Sequence, residues 1–65
     1  MFKIGEFSKI CRVPTSVLRY YDEIDLFKPK HVDTFTGYRY YGLEQLPQLN
    51  RILVLRDLEL SLAEI

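Results

Sequence analysis

Small hydroxyls and longer hydrogen-bonding side chains share one face of the helix predicted near residues 14–24. At helical spacing this polar face holds Thr15, Ser16, Arg19, Tyr20 and Glu23, opposite an apolar stripe of Val17, Leu18, Tyr21 and Ile24. A helix in the major groove of DNA needs this pattern, because small groups approach the bases and long ones reach the phosphates. The alternative is a solvated surface helix that carries these groups by chance.

Other chemistries find little support in the residue pattern. No nucleophile is paired with a base, and no Gly-rich loop or paired metal-ligand spacing is present, so we expect neither an enzyme nor a cofactor. Cys11 is the single cysteine, and one thiol without a second ligand cannot form a metal site. It is interpreted as a small apolar residue at a helix end. His31 is interpreted as a surface residue.

Composition limits the class of protein. Sixty-five residues make one small domain, 1–65, near the size at which a single core is marginally stabilising. The net charge is zero, but its distribution is uneven. The chain up to Tyr41 contains seven basic and five acidic residues, and the chain from Gly42 onward contains two basic and four acidic residues. This distribution permits a nucleic-acid-binding face without requiring one. The single cysteine and the lack of a long apolar run predict a cytoplasmic protein with no disulfide and no membrane partner.

Two short helices and a hairpin must position these side chains. The first helix is predicted over Ile4–Cys11 and the second from Pro14, since proline breaks one helix and is tolerated in the first turn of the next. This is a helix-turn-helix outline. Strands at 30–33 and 38–41, joined by a turn ending in Gly37, form a predicted hairpin. Its expected apolar contacts with the helices are Leu26, Phe27 and Tyr41.

A third helix is predicted over residues 43–58, with its first turn distorted by Pro47. Ser61 and Glu64 have the spacing of a capping box and predict the start of a fourth helix. Because the sequence stops within the first turn of that helix, we expect the chain to be the front portion of a longer protein.

Three segments, LRYYDEIDL (18–26), TGYRYY (36–41) and LRDLELSLAEI (55–65), resemble the N-terminal DNA-binding domain of MerR-family transcriptional regulators. The resemblance implies a mainly α winged helix-turn-helix with a small β-hairpin. It implies that the second helix enters the major groove and that the hairpin, or wing, follows the backbone. A later helix would pair two subunits, and a further region would sense an effector. Such homodimers bind a promoter spacer and distort it so that RNA polymerase engages both promoter elements.

The resemblance also implies DNA contacts at particular positions. Thr15 and Ser16 match the base-facing start of the recognition helix, and Arg19 and Tyr20 match a pair that contacts phosphate and flanking bases. Tyr38 and Arg39 match wing residues that hold phosphates, and Arg56 matches a weaker phosphate contact. Tyr21 and Tyr41 match core positions. The simpler interpretation of Arg19 and Arg39 is that they are solvated, or that they pair with nearby acidic residues (Asp22, Glu23 or Asp33).

The sequence departs from the family pattern at three helix ends. Arg12, Asp25 and Glu59 stand where relatives often have glycine, which adopts the left-handed conformation without steric penalty. If Glu59 has a positive φ, Glu59→Gly should stabilise the fold by about 1 kcal/mol.

Three function classes therefore remain open: a promoter-distorting regulator, an architectural excisionase-like DNA binder, and a protein-interaction module. The unfinished last helix favours the first over the second, and the polar face of the second helix favours double-stranded DNA over a protein partner. The sequence does not specify the effector, the operator, or activation against repression. We expect weak, strongly salt-dependent DNA binding by these 65 residues alone.

Overall fold

A computed structural model of the chain describes residues 1–63. In chain order the elements are β1 (Phe2–Lys3), α1 (Ile4–Cys11), α2 (Thr15–Glu23), β2 (His31–Val32), β3 (Arg39–Tyr41), a 3-10 turn (Leu43–Gln45) and α3 (Leu46–Ala63). The bounds of α1 are those predicted from the sequence, and α2 begins one residue after Pro14. The helix-turn-helix outline is confirmed.

The turn between α1 and α2 is closed by its own backbone. Arg12, which stands where family members often have glycine, has a φ of 58° and ends α1 in the left-handed conformation. The Val13 amide donates to the Ser8 carbonyl at 3.2 Å, and the Ser8 hydroxyl donates to the Val13 carbonyl at 2.6 Å. Pro14 then accepts the first hydrogen bonds of α2 through its carbonyl. The angle between the two helices is therefore fixed locally.

The wing is part of a three-stranded antiparallel sheet in the order β1-β3-β2. The prediction of two strands is corrected, because β1 pairs with β3 through Phe2↔Tyr41 and Lys3↔Tyr40. A strand of two residues has no detectable period, and its pairing joins positions almost forty residues apart, so the sequence pattern did not reveal it. The added strand ties the N-terminus to the wing.

The hairpin loop is held by the carboxylate of Asp33. Its Oδ1 accepts hydrogen bonds from the amides of Phe35 at 2.8 Å and Thr36 at 3.0 Å, and these bonds lower the pKa of Asp33. The Gly37 amide bonds the Asp33 carbonyl, and Gly37 itself has a φ of 74°, which a glycine adopts at little cost. The loop thus has a defined shape.

Aromatic rings fill the centre of the core. Tyr41 stacks on Phe7 with ring centroids 4.7 Å apart and on Phe27 at 5.8 Å. The buried residues are Phe7, Val13, Leu18, Tyr21, Phe27, Tyr41 and Leu49. Burial raises the pKa of Tyr41 to about 12, and its hydroxyl has no hydrogen-bond partner within the described residues. The core therefore joins α1, α2, β3 and α3.

Two predicted core residues are exposed instead. Asp25 has a φ of 59°, and the Leu26 amide reaches back to the Tyr21 carbonyl at 2.8 Å. This turn directs Phe27 inward, whereas Ile24 and Leu26 remain 48% and 44% exposed. Helical period alone extended the apolar stripe past the residue at which the helix ends.

The third helix begins as predicted and ends later than predicted. The 3-10 turn occupies the predicted start at Leu43, and in it the Gln45 side chain accepts from the Gly42 amide at 2.9 Å. Helix α3 itself begins at Leu46, so Pro47 lies in its first turn. The helix then continues to Ala63, so Ser61 lies inside it and does not begin a fourth helix. Glu59 also lies inside α3, so the positive φ considered for it is wrong. Residues 56–63 contain neither glycine nor proline, so no helix-breaking residue ends α3 at Leu58. Glu64, the other half of the capping box, lies outside the described residues.

Candidate nucleic-acid interface

A groove of about 470 Å³ runs between the start of α1, the middle of α2 and the base of the wing. Four elements and the wing loop contribute its lining, which consists of Lys3, Ile4, Gly5, Glu6, Lys9, Arg19, Gly37, Tyr38 and Arg39. Three residues predicted as DNA contacts, Arg19 from α2 with Tyr38 and Arg39 from the wing, therefore meet in one place. The two guanidinium-bearing residues share a concave surface.

The groove concentrates positive charge in a chain whose net charge is zero. Four basic side chains line it, two lysines and two arginines, against the single carboxylate of Glu6. Glu6 is the one acidic residue in the lining, so the lining residues carry a net positive charge although the charge of the whole chain is zero. An anion of extended shape, such as a phosphate backbone, fits this charge distribution.

Arg39 is oriented by an acidic residue of the adjacent helix. Its Nε donates to Oδ2 of Asp22 at 2.9 Å, and the two side chains are 31% and 18% exposed. The pairing with Asp22 considered as an alternative to DNA contact is thus present for Arg39. The ion pair uses the Nε atom of Arg39, and Arg39 nevertheless lines the groove. The ion pair and the groove position therefore coexist.

Lys3 and Lys9 belong to the groove and were missed in the sequence. The ammonium of Lys3 lies 5.0 Å from the centre of the Tyr38 ring, a cation–π distance. Strand β1 causes this contact, since it sets Lys3 opposite Tyr40 in the sheet. Lys9 comes from the last turn of α1. The signal available in the sequence was the excess of basic residues before Tyr41, which does not indicate which of them share a face.

The remaining predicted contacts on α2 lie outside the groove lining. Thr15 is half-buried at the start of the helix, while Ser16 and Tyr20 are exposed. The Tyr20 ring is tilted against that of Tyr21, with centroids 6.3 Å apart. Exposure leaves Ser16 and Tyr20 accessible to a partner along the outer face of α2. Their assignment as DNA contacts stays a prediction.

Arg56 stands apart from the other predicted contacts. Its Nη1 donates to the Tyr21 hydroxyl at 3.3 Å, and its Nη2 lies 3.8 Å from the Asp57 carboxylate. It is absent from the groove lining, so the described geometry gives it a link between α3 and α2. Its role as a phosphate contact stays a prediction.

The two lysines near the wing are engaged by acids. Lys28 bonds Asp25 at 2.7 Å and lies 3.7 Å from Asp22, and the Asp25 bond raises the pKa of Lys28. Lys30 pairs with Glu44 and lowers the pKa of that carboxyl. Both lysines therefore contribute less free positive charge than those in the groove.

Within residues 1–63, no three or more histidine, cysteine or carboxylate side chains gather as a metal site would require. In the same residues no helix has both the length and the apolar character needed to cross a bilayer.

Two helices joined by a tight turn, with a hairpin packed beside them, define a winged helix-turn-helix protein. The family model described as MerR HTH family regulatory protein matches residues 2–65. The chain belongs to this family.

Similar proteins carry names of transcriptional regulators. The chain is 46% identical over 65 residues to the transcriptional regulator BrlR of Pseudomonas aeruginosa, covering all of this chain and 24% of the relative. It is 49% identical over 63 residues to the multidrug-efflux transporter 1 regulator of Bacillus subtilis, covering 97% and 23%. The chain thus spans about a quarter of the length of these curated relatives.

A solved structure shares the fold. The cryo-EM structure of the EcmrR–DNA complex in EcmrR-RPo matches with a TM-score of 0.86 and 43% sequence identity, covering 89% of this chain and 22% of the matched one.

Proposed function

We propose that these residues bind duplex DNA as the DNA-binding domain of a MerR-like transcriptional regulator. The observation that carries the proposal is the groove in which Arg19 of the second helix meets Tyr38 and Arg39 of the wing. Family membership supports it, and so does the structural neighbour, which is itself a complex with DNA. The function of the domain is to place a helix and a hairpin on one duplex.

The elements divide the work between affinity and specificity. Helix α2 enters the major groove with Thr15 and Ser16 toward the base edges, where small hydroxyls can bond to several bases. The cations of the groove hold phosphates on the strand that borders the major groove, and counterions are released as they bind. Affinity comes mainly from these phosphate contacts, and specificity from the few base contacts and from the cost of deforming the DNA.

The whole protein acts as a homodimer in this proposal. One domain of this size reads one half-site, and two copies related by a two-fold axis read two. Bound to a promoter spacer, the dimer distorts the DNA so that RNA polymerase can engage both promoter elements. The basis is the resemblance to the family together with relatives whose names describe regulators.

Fluorescence anisotropy of a labelled duplex at increasing salt tests the DNA-binding face. Arg19→Ala and Arg39→Ala should each weaken binding to every duplex sequence, because phosphate contacts carry no base information. Each variant should also make the log–log salt slope shallower by about 0.9, the amount expected for one phosphate neutralised.

Arg51→Ala is the matched control, since Arg51 is exposed on α3 and is not part of the groove lining. It removes the same charge and should leave the salt slope close to that of the parent. If Arg19→Ala and Arg39→Ala bind duplex DNA as tightly as the parent, the proposed face is wrong.

A further inference from the structure

The tip of the wing presents a phenylalanine ring to solvent. Phe35 is 98% exposed, more than any other large apolar side chain for which burial is described. Its neighbours in the loop are Thr34 and Thr36, so no basic side chain stands at the tip. An isolated exposed apolar residue is common on protein surfaces, and exposure alone would decide nothing.

The loop that carries this ring has a fixed shape. The Asp33 carboxylate bonds the amide of Phe35 itself, and the Thr36 hydroxyl accepts from the Tyr38 amide at 3.2 Å. Gly37 supplies the positive φ that returns the chain to β3. The backbone of Phe35 is therefore held at the apex by the same bonds that shape the hairpin, and less entropy is lost when a partner meets the ring.

We propose that Phe35 inserts into the minor groove of the bound duplex, next to the phosphates held by Tyr38 and Arg39. This inference rests on the proposed function. With α2 in the major groove, the residues at the base of the wing bind the phosphates of one DNA strand. That DNA backbone separates the major groove from the neighbouring minor groove. The loop extends beyond that strand, and the groove it meets there is the minor one.

Reach and chemistry both agree with this placement. Gly37 and Tyr38 line the cationic groove, and Phe35 precedes them by two and three residues. Three residues span at most about 10 Å, and the minor groove is about 6 Å wide, so the ring of Phe35 lies close enough to the residues that hold the phosphates to reach that groove. Apolar side chains act as wedges there by packing on sugars and partly unstacking a base step. A wedge next to a phosphate grip also promotes the DNA deformation that the proposed function requires.

Affinity and its salt dependence separate a wedge from a charge contact. Phe35→Ala should weaken binding about fivefold, as expected for loss of a partly buried aromatic side chain. The salt slope should stay unchanged, because no phosphate contact is lost. Leu55→Ala is the matched control, since Leu55 is an exposed apolar residue on α3, outside the cationic groove, and its loss should leave affinity unchanged.

A tryptophan at the tip reports the contact directly, because the chain contains no tryptophan. Phe35→Trp should bind like the parent, and its emission should be quenched when duplex DNA is added. Leu55→Trp should show no such change. Replacing G·C by inosine·C pairs removes the guanine amino group from the minor groove and leaves the major-groove edges alike. Without that amino group the minor groove is more open to an apolar ring. The loss of affinity caused by Phe35→Ala should therefore be larger on the inosine duplex than on the G·C duplex.

The outcomes are distinguishable. If Arg39→Ala loses affinity while Phe35→Ala does not, and the tip tryptophan is silent with DNA, the wedge is refuted and DNA binding stands. Emission that changes with protein concentration alone would show that the ring meets a second copy, which also refutes the wedge. If the parent binds no duplex at low salt, both proposals fail.

Discussion

The turn between α1 and α2 contains a strained residue whose replacement should stabilise the fold. Arg12 has a φ of 58° and no hydrogen bond from its side chain within residues 1–63, while its backbone amide bonds the Ser8 carbonyl. Glycine keeps that amide and removes the Cβ that opposes the left-handed conformation. We expect Arg12→Gly to be more stable than the parent.

The size of the gain follows from two opposing contributions. A non-glycine residue in the left-handed region costs about 1–2 kcal/mol. Glycine loses more backbone entropy on folding, which costs about 0.5–1 kcal/mol. The free energy of unfolding should therefore rise by roughly 0.5–1 kcal/mol, or about 4 °C in Tm for a domain of this length.

Two controls isolate the backbone effect in a urea or thermal denaturation experiment. Arg12→Ala removes the charge and keeps the Cβ, so its stability should stay close to that of the parent. Lys9→Gly places glycine at a helical position three residues earlier and should destabilise by about 1 kcal/mol. If Arg12→Gly is no more stable than Arg12→Ala, the left-handed turn is not strained and the reasoning fails.

Two further predictions concern pH. Burial raises the pKa of Tyr41 to about 12 from an ordinary 10.0, so the folded state holds this proton more tightly. The stabilisation from this proton should be fully present below pH 10 and be lost as pH rises toward 12. Tyr41→Phe should abolish this loss and, because it removes an unsatisfied hydroxyl, should add about 1 kcal/mol to the free energy of unfolding. Urea unfolding across this pH range measures both effects. The pKa of Asp33 is lowered from 3.8 by the amides of Phe35 and Thr36, so loop order should be present above pH 3.8 and lost as pH falls below it. The amide chemical shifts of Phe35 and Thr36 report that loss, and Asp33→Ala should show the disordered shifts at neutral pH.

Local signals explain what the sequence predicted correctly. The bounds of α1 follow from its apolar spacing and from Pro14, which stops one helix and starts the next. The hairpin follows from Gly37 at the end of a short turn between two segments rich in aromatic and branched residues. Arg12 and Asp25 stand where family members often have glycine, and the structure shows both at positive φ, whereas Glu59, the third such position, is helical. Each of these features depends on residues close together in the chain.

The features that were missed depend on distant residues or on competition between signals. Strand β1 exists because β3 lies beside it, and it brings Lys3 over Tyr38, so no pattern near Lys3 could place it in the groove. The capping box around Ser61 matched a helix start, yet good helix formers before it allow α3 to continue. The candidate residues named from the sequence therefore include the two arginines that line the groove and omit its two lysines.

The ion pair between Asp22 and Arg39 explains how an acidic residue serves a cationic surface. A pair this close to water contributes only about 0–1 kcal/mol to stability, so it does not hold the fold together. It also neutralises part of the charge that attracts phosphate, which by itself would weaken DNA binding. Its effect is geometric, because Asp22 belongs to the last turn of α2 and Arg39 to β3. A bond of 2.9 Å between them joins the end of α2 to the wing, and the Lys28 ammonium lies 3.7 Å from the other oxygen of the same carboxylate. In the proposed mode of DNA binding, the ion pair favours the observed arrangement of α2 and the wing before DNA binds, and this reduces the entropy lost on binding.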